Sequence, residues 1–215
     1  MKISVFGATG MAGTSIVAEA LARGHSVTAW SRRLGKFPRH ERLTAGIIDL
    51  STPNTLGIVL TAVDAAVLTV RPSPGNEHQI ASWTTGFLTA AATTGTRVLV
   101  VGGAGPLISP NHPDLLIADD PTYVTAQWRA VAQASVDQLR ACQHHPYSRW
   151  VYLSPAATFA PGPRSGGYER GTTRLVVDAE GVSRITPEDL AIAAIDELEN
   201  PHRDPHFTVA QAQRR

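Results

Sequence analysis

Seven consecutive residues, Gly7-Ala8-Thr9-Gly10-Met11-Ala12-Gly13, hold the clearest chemical signal in the chain. They follow a short apolar run, Ile3 to Phe6, and lead into a stretch of helical periodicity. Between a strand and a helix, such a turn can receive a pyrophosphate. Gly7 permits the tight turn, Gly10 lets the backbone come close to the ligand, and Gly13 lets the helix press on the strand. The free N–H groups and positive end of the helix then face the phosphates. A plain strand–helix connection is the competing reading. It leaves three glycines in phase at a helix start without a reason, since glycine is unfavourable there.

The end of the second strand bears on which dinucleotide is bound. An Asp or Glu there accepts hydrogen bonds from the adenosine ribose and marks NAD. This chain instead reads Ser31-Arg32-Arg33, with Lys36 a turn later and no acid before Glu41. An arginine can fork onto a 2′-phosphate that a carboxylate would repel, so the run points to NADP(H) over NAD(H). A solvated basic loop is the alternative.

These residues need a scaffold. Short apolar runs alternate with helical stretches, the pattern of a parallel sheet covered by helices on both faces. Ile3–Phe6, Ser26–Trp30, Ala65–Val70, Arg97–Val101 and Trp150–Leu153 read as strands, with Phe207–Val209 a final one. Met11–Arg23, Glu77–Thr94 and Thr125–Cys142 read as helices, the first two stopped by Gly24 and Gly95. Thr52-Pro53 predicts the start of a short helix. Thr186-Pro187-Glu188-Asp189 predicts another, reaching about Glu199, with a cap, a first-turn proline and acids at the positive end. Residues 155–173, rich in proline and glycine, predict a loop or small lobe at the carboxyl end of the sheet. The expected fold is one α/β domain over 1–215, a Rossmann-type doubly wound parallel sheet, with 155–215 adding a small substrate-side lobe.

Composition narrows the partners. A hydrophobic share of 43% against 17% charged is an ordinary globular balance, sufficient for a sizeable core. A net charge of +1 with no basic stripe gives no reason to expect nucleic acid or an anionic membrane. The single Cys142 excludes an internal disulfide and a cysteine-based zinc site. The first apolar run is too short for a signal-peptide core, and no stretch reads as a membrane span. The expectation is a cytoplasmic protein acting on a small molecule, as a monomer or a homodimer.

The sequence resembles the atypical short-chain dehydrogenase/reductases, in the branch similar to biliverdin-IXβ/flavin reductase and to bacterial NADH-flavin reductases. The matching pieces are Gly7 to Gly13, Val98 to Gly105, Tyr152-Leu153-Ser154-Pro155-Ala156, Ser183 to Ala191 apart from Pro187, and Asp196 to Pro201. They occur in the family's order and reach over nearly the whole chain. The resemblance implies a nucleotide-sized cleft holding the cofactor with Gly7, Thr9, Gly10, Met11, Ala12 and Gly13. Arg32 matches the arginine that takes the 2′-phosphate, with Arg33 and Lys36 as further cations. Family members often place an Asp near Gly46 or Ile47 against the adenine. Asp49 comes late for that, so backbone contacts from Ile47 and Ile48 are expected instead. Thr69, Val70, Gly102, Gly103, Ser154 and Pro155 complete the implied cofactor set. Arg71 falls where the family approaches the nicotinamide half, as a substrate or phosphate contact or as a surface charge.

The usual proton-delivery set of these enzymes, a serine after the fifth strand and a Tyr-x-x-x-Lys helix, is not found. Gly102-Gly103-Ala104-Gly105 holds no serine, and Tyr123 is followed four residues later by Gln127. No catalytic residue can be named. Tyr123 reads as a loop or pocket-wall residue, alongside His112, Phe159 and Tyr168 as expected substrate contacts; Trp83 is a further wall candidate, with core the favoured reading. Ser154 lacks a glycine-flanked elbow and any histidine partner visible in the sequence. His144-His145 reads as a solvated loop rather than a metal site. Three functions remain open: an NADPH-dependent reductase of a flavin- or quinone-like acceptor, an NADP(H) sensor or scaffold without turnover, and a biosynthetic tailoring enzyme using the pocket for a non-redox step.

Overall fold

Strand β1 (Lys2–Phe6) buries Ile3 and Val5 on one face and Phe6 on the other, and this two-sided burial recurs across the sheet. In β4 (Ala65–Leu68), β5 (Arg97–Val101) and β6 (Trp150–Ser154), alternate residues also feed two separate cores. That is the signature of a sheet covered on both faces, where strands read as apolar runs rather than polar–apolar alternations. The computed structural model describes residues 1–51 and 55–212. The helix start expected at Thr52-Pro53 lies outside the described residues.

The remaining strands are β2 (Ser26–Ser31), β3 (Leu43–Ile47), β7 (Thr158–Phe159), β8 (Tyr168–Gly171), β9 (Arg184–Ile185) and β10 (His206–Gln211). The main sheet runs β3-β2-β1-β4-β5-β6-β10-β8, parallel except for β8, which is antiparallel to β10. The order reverses between β1 and β4. In open parallel sheets the ligand crevice lies outside the carboxyl ends of the strands at such a reversal.

Helices α1 (Met11–Ala22) and α5 (Pro187–Glu199) cover one face, while α2 (Leu56–Leu60), α3 (Gln79–Thr94) and α4 (Arg129–His144) cover the other. Residues 155–212, expected as a substrate-side lobe, supply α5, the small β7–β9 sheet, and two further strands of the main sheet. Helix α5 begins as its sequence dictates. Thr186 accepts a hydrogen bond from the Asp189 N–H at 3.2 Å, a cap worth about 1 kcal/mol. Helix α3 ends at Gly95, whose φ of 71° is left-handed and would strain another residue.

Buried charge ties α5 to its surroundings. Glu197 is fully buried and pairs with Arg97 of β5 at 2.9 Å, Arg170 of β8 at 3.1 Å and His202 at 2.9 Å. Arg23 joins α1 to α5 through Asp196 and Glu199, and Tyr168 donates to Asp196 at 2.9 Å. Cys142, fully buried on α4, has its thiol pushed up to about 12 by burial.

Candidate functional site

A cleft of about 800 Å³ opens at the β1/β4 reversal, within the size range of small-molecule and cofactor sites. Its floor is the glycine turn. Gly7 has φ +85°, and a Cβ there would lie 2.8 Å from the Thr69 carbonyl oxygen, so glycine is required on two counts. Thr69, just past β4, donates its hydroxyl to the carbonyls of Phe6 and Gly7 at 3.1 and 3.2 Å. This seam fixes the turn against β4.

Gly10 and Gly13 divide the remaining work. A Cβ on Gly13 would strike the Gly7 carbonyl, so Gly13 serves helix–strand contact. A Cβ on Gly10 would meet only that carbonyl, at 3.2 Å, and otherwise open space. Gly10 is the residue before α1, with no side-chain cap and no acid in the first turn of the helix. Helical bonding begins with the Thr14 N–H donating to Gly10. The Gly10 N–H donates to the Gly7 carbonyl, and those of Met11, Ala12 and Gly13, at the positive helix end, have no partner within the helix. Thr9, Gly10, Met11 and Ala12 line the cleft beside them.

At one end lie Trp30, Ser31, Arg32, Ile48, Asp49 and Leu50. A hydrogen bond from Ser51 holds the Asp49 carboxyl below its ordinary range, and Arg32 adds a smaller pull in the same direction. Arg33, Lys36 and Ile47, expected to touch the cofactor, are exposed and do not line the cleft. The Ile47 side chain faces solvent while Ile48 turns inward, the alternation of a strand at its end.

The other end is built from Thr69, Val70, Arg71, Gly102, Gly103, Pro155 and Phe159, all expected, while Trp83 packs on the core near Leu50 and also lines the cleft. Tyr123 also faces the cleft. Its phenol has no hydrogen-bond partner among the described residues, and burial pushes it up with the Asp120 carboxylate adding. Asp120 is fully buried and accepts from the Ser109 hydroxyl at 2.6 Å and the Thr122 N–H at 2.8 Å. The Ser109 bond holds that carboxyl below its ordinary range against the opposing effect of burial. The pair thus pins the loop that presents Tyr123.

Three expected contacts lie elsewhere. Ser154 is buried beneath the cleft, and its hydroxyl is hydrogen-bonded to His206 Nε2 at 2.9 Å, a partner contributed by β10 some fifty residues later. Burial pushes His206 down to about 4, so the imidazole is neutral and structural. The Tyr168 hydroxyl is directed at Asp196 of α5, and His112 is exposed on the loop fastened by Ser109. His145 is hydrogen-bonded to Thr89 and Tyr147, and no group of three metal-ligating side chains occurs among the described residues.

Sequence reading missed one wall. The α-helix starts at Arg129 rather than Thr125, because Ala126–Trp128 forms a tighter 3₁₀ turn. From there Trp128, Val131, Ala132, Ser135 and Gln138 all face the cleft. Their spacing of three and four is one helical stripe and was available in the sequence. No tyrosine or lysine is on it, and the Ser135 hydroxyl is spent on the Ala132 carbonyl at 2.6 Å. The glycines after β5 exist for this packing. A Cβ on Gly102 would collide with the Tyr152 hydroxyl, and one on Gly105 with the Ala132 carbonyl.

A model of the family described as NAD(P)H-binding matches residues 7–201. The chain belongs to this NAD(P)H-binding family. YwnB of Bacillus subtilis, uncharacterized, is 34% identical over 212 residues, spanning 97% of this chain and 98% of YwnB. The solved structure of a candidate NADH-flavin reductase from Streptococcus pneumoniae is 30% identical, with a TM-score of 0.87 over 99% of this chain and 100% of that one. A candidate epimerase from Bacteroides thetaiotaomicron is 32% identical, with a TM-score of 0.89 over 100% and 98%. The atypical short-chain dehydrogenase/reductase resemblance and the Rossmann-type sheet agree with these findings. No helix among the described residues is long and apolar enough to cross a membrane.

Proposed function

We propose that this chain is an NADPH-dependent oxidoreductase that passes a hydride to a flat, conjugated acceptor of flavin or quinone type. The residues at the cleft fit the dinucleotide. The uncapped start of α1, with Gly10 leaving space before it, suits the pyrophosphate. Arg32 suits a 2′-phosphate, Ile48 and Leu50 an adenine, and Gly102, Gly103 and Pro155 the nicotinamide end. When bound, the nicotinamide supplies the hydride. The protein orients the two rings and excludes water through Ile117 and Phe159.

The choice of acceptor is carried by the cleft face of α4, which bears no tyrosine–lysine pair. A simple ketone that takes a hydride becomes an alkoxide, and it needs a positioned acid as it forms. A flavin or quinone spreads the incoming charge over a conjugated system and depends less on such an acid. The name of the S. pneumoniae relative supports the redox reading, while the epimerase name of another does not.

The test is NADPH oxidation over a panel of flavins, quinones and simple ketones, together with NADPH and NADH titrations. Oxidation by a flavin or quinone at least a hundredfold faster than by ketones is expected. Tight NADPH binding without oxidation by any acceptor would overturn the reductase reading in favour of a sensor.

A further inference from the structure

One cation lining the cleft lies over an aromatic ring. The Arg71 guanidinium carbon lies 5.6 Å from the centroid of the Trp128 ring. The two residues come from separate connections, the loop after β4 and the turn before α4, and meet at the mouth of the cleft. Trp128 is 50% exposed, a large apolar surface for a residue in contact with a neighbouring side chain. Arg71 makes no ion pair with a carboxylate among the described residues, and this includes Glu77, the acid that shares this end of the cleft.

A guanidinium over an indole is drawn to the ring's negative face, a contact that takes up none of its N–H donors. Those donors make no hydrogen bond among the described residues and can fork onto an oxyanion. An arginine held by a ring rather than by a carboxylate is therefore positioned without being neutralised. The cleft that Arg71 and Trp128 border is largely apolar, with Val124 and Val131 flanking Trp128 in the chain and both lining it. Such a surface suits a flat ring, and its one cation suits a charged substituent at the ring's edge.

We infer that the acceptor is a conjugated ring system carrying an anionic oxygen group (carboxylate, sulfonate or phosphate), with Arg71 forked onto that group and Trp128 against the ring. The inference rests on the reductase reading for its word acceptor, but the binding site it assigns does not require turnover.

The test compares 1,4-naphthoquinone-2-sulfonate with 1,4-naphthoquinone on the full chain and on Arg71→Ala and Arg71→Lys. Three quantities are measured: kcat/KM for NADPH oxidation, the NADPH dissociation constant, and quinone binding to the NADP⁺-loaded protein by tryptophan quenching. Arg71→Ala should lower kcat/KM and affinity for the sulfonated quinone at least tenfold more than for the neutral one. Arg71→Lys, which keeps the charge but not the fork, should restore part of the difference. Equal effects of Arg71→Ala on both quinones would overturn the inference while leaving the reductase reading intact. A tenfold loss of NADPH affinity in Arg71→Ala would also overturn it, by assigning the arginine to the cofactor. Arg71-dependent binding of the sulfonate without NADPH oxidation by either quinone would uphold the site and sink the reductase reading instead.

Discussion

In the proposed reading, nucleotide recognition turns on Arg32 and Gly10. A forked, charge-assisted contact to a phosphate is worth roughly 1.5–3 kcal/mol, so NADPH should bind about tenfold or more tighter than NADH. Arg32→Ala should remove most of that difference and leave NADH affinity nearly unchanged, as read by titration calorimetry. Equal dissociation constants in the unaltered protein would sink the idea. Gly10→Val is the complementary change. Its side chain would meet the Gly7 carbonyl at first contact and then project into open cleft, so the fold should survive. Circular dichroism should be unaltered while NADPH binding is lost. Retained affinity would show that the phosphates lie elsewhere.

Elements were legible in the sequence where local chemistry dictates them. The cap and first-turn proline of α5, the glycine stop of α3 and the glycine turn of β1–α1 each have a local cause, and each was placed within a residue or two. The failures share a different cause: long-range pairing. Ser154 has a histidine partner, but His206 reaches it only because β10 joins the sheet beside β6. Tyr168 has the composition of a pocket residue, yet β8 runs antiparallel to β10 and directs its hydroxyl at α5. The glycines after β5 carry no local sign of their packing role, which is set by α4 and Tyr152 in the space that side chains would need. Gly102→Ala should accordingly destabilise the fold by about 1–3 kcal/mol through overpacking. That corresponds to a fall of very roughly 2–12 °C in Tm, from about 2–4 °C per kcal/mol at this size. Tyr152→Phe in the same chain would leave the ring carbon Cζ against the new Cβ and should recover little of the loss. A Gly102→Ala protein as stable as the parent in calorimetry would contradict the packing argument.

At the scale of the whole molecule, stability should depend on pH through a group remote from the cleft opening. His206 is depressed to about 4 by burial, whereas an unfolded histidine titrates near 6.5. Between these values the unfolded chain binds the proton first, so stability is full above about pH 6.5 and declines as pH drops toward 4. The complete loss is about 3 kcal/mol, of which about 2 kcal/mol accrues by pH 5. Asp120 and Asp189 are held low instead, and their contributions are lost only on further acidification, as pH falls below the ordinary carboxylate range. Thermal unfolding at pH 7 and pH 5 should therefore show a Tm drop of about 4–8 °C. His206→Gln should shrink that drop, and an equal drop in the variant would assign the pH dependence to another group.

The lone thiol of this chain is sealed inside α4 and held far from ionisation, so it should not react with a maleimide near neutral pH. That makes the native sequence a ready background for labelling. A cysteine placed at the exposed Ala126, two residues before Trp128, would be the one reactive thiol in the folded protein. An environment-sensitive dye attached there would sit beside the mouth of the cleft and signal its filling by cofactor and acceptor in separate steps, with no native residue removed but an alanine.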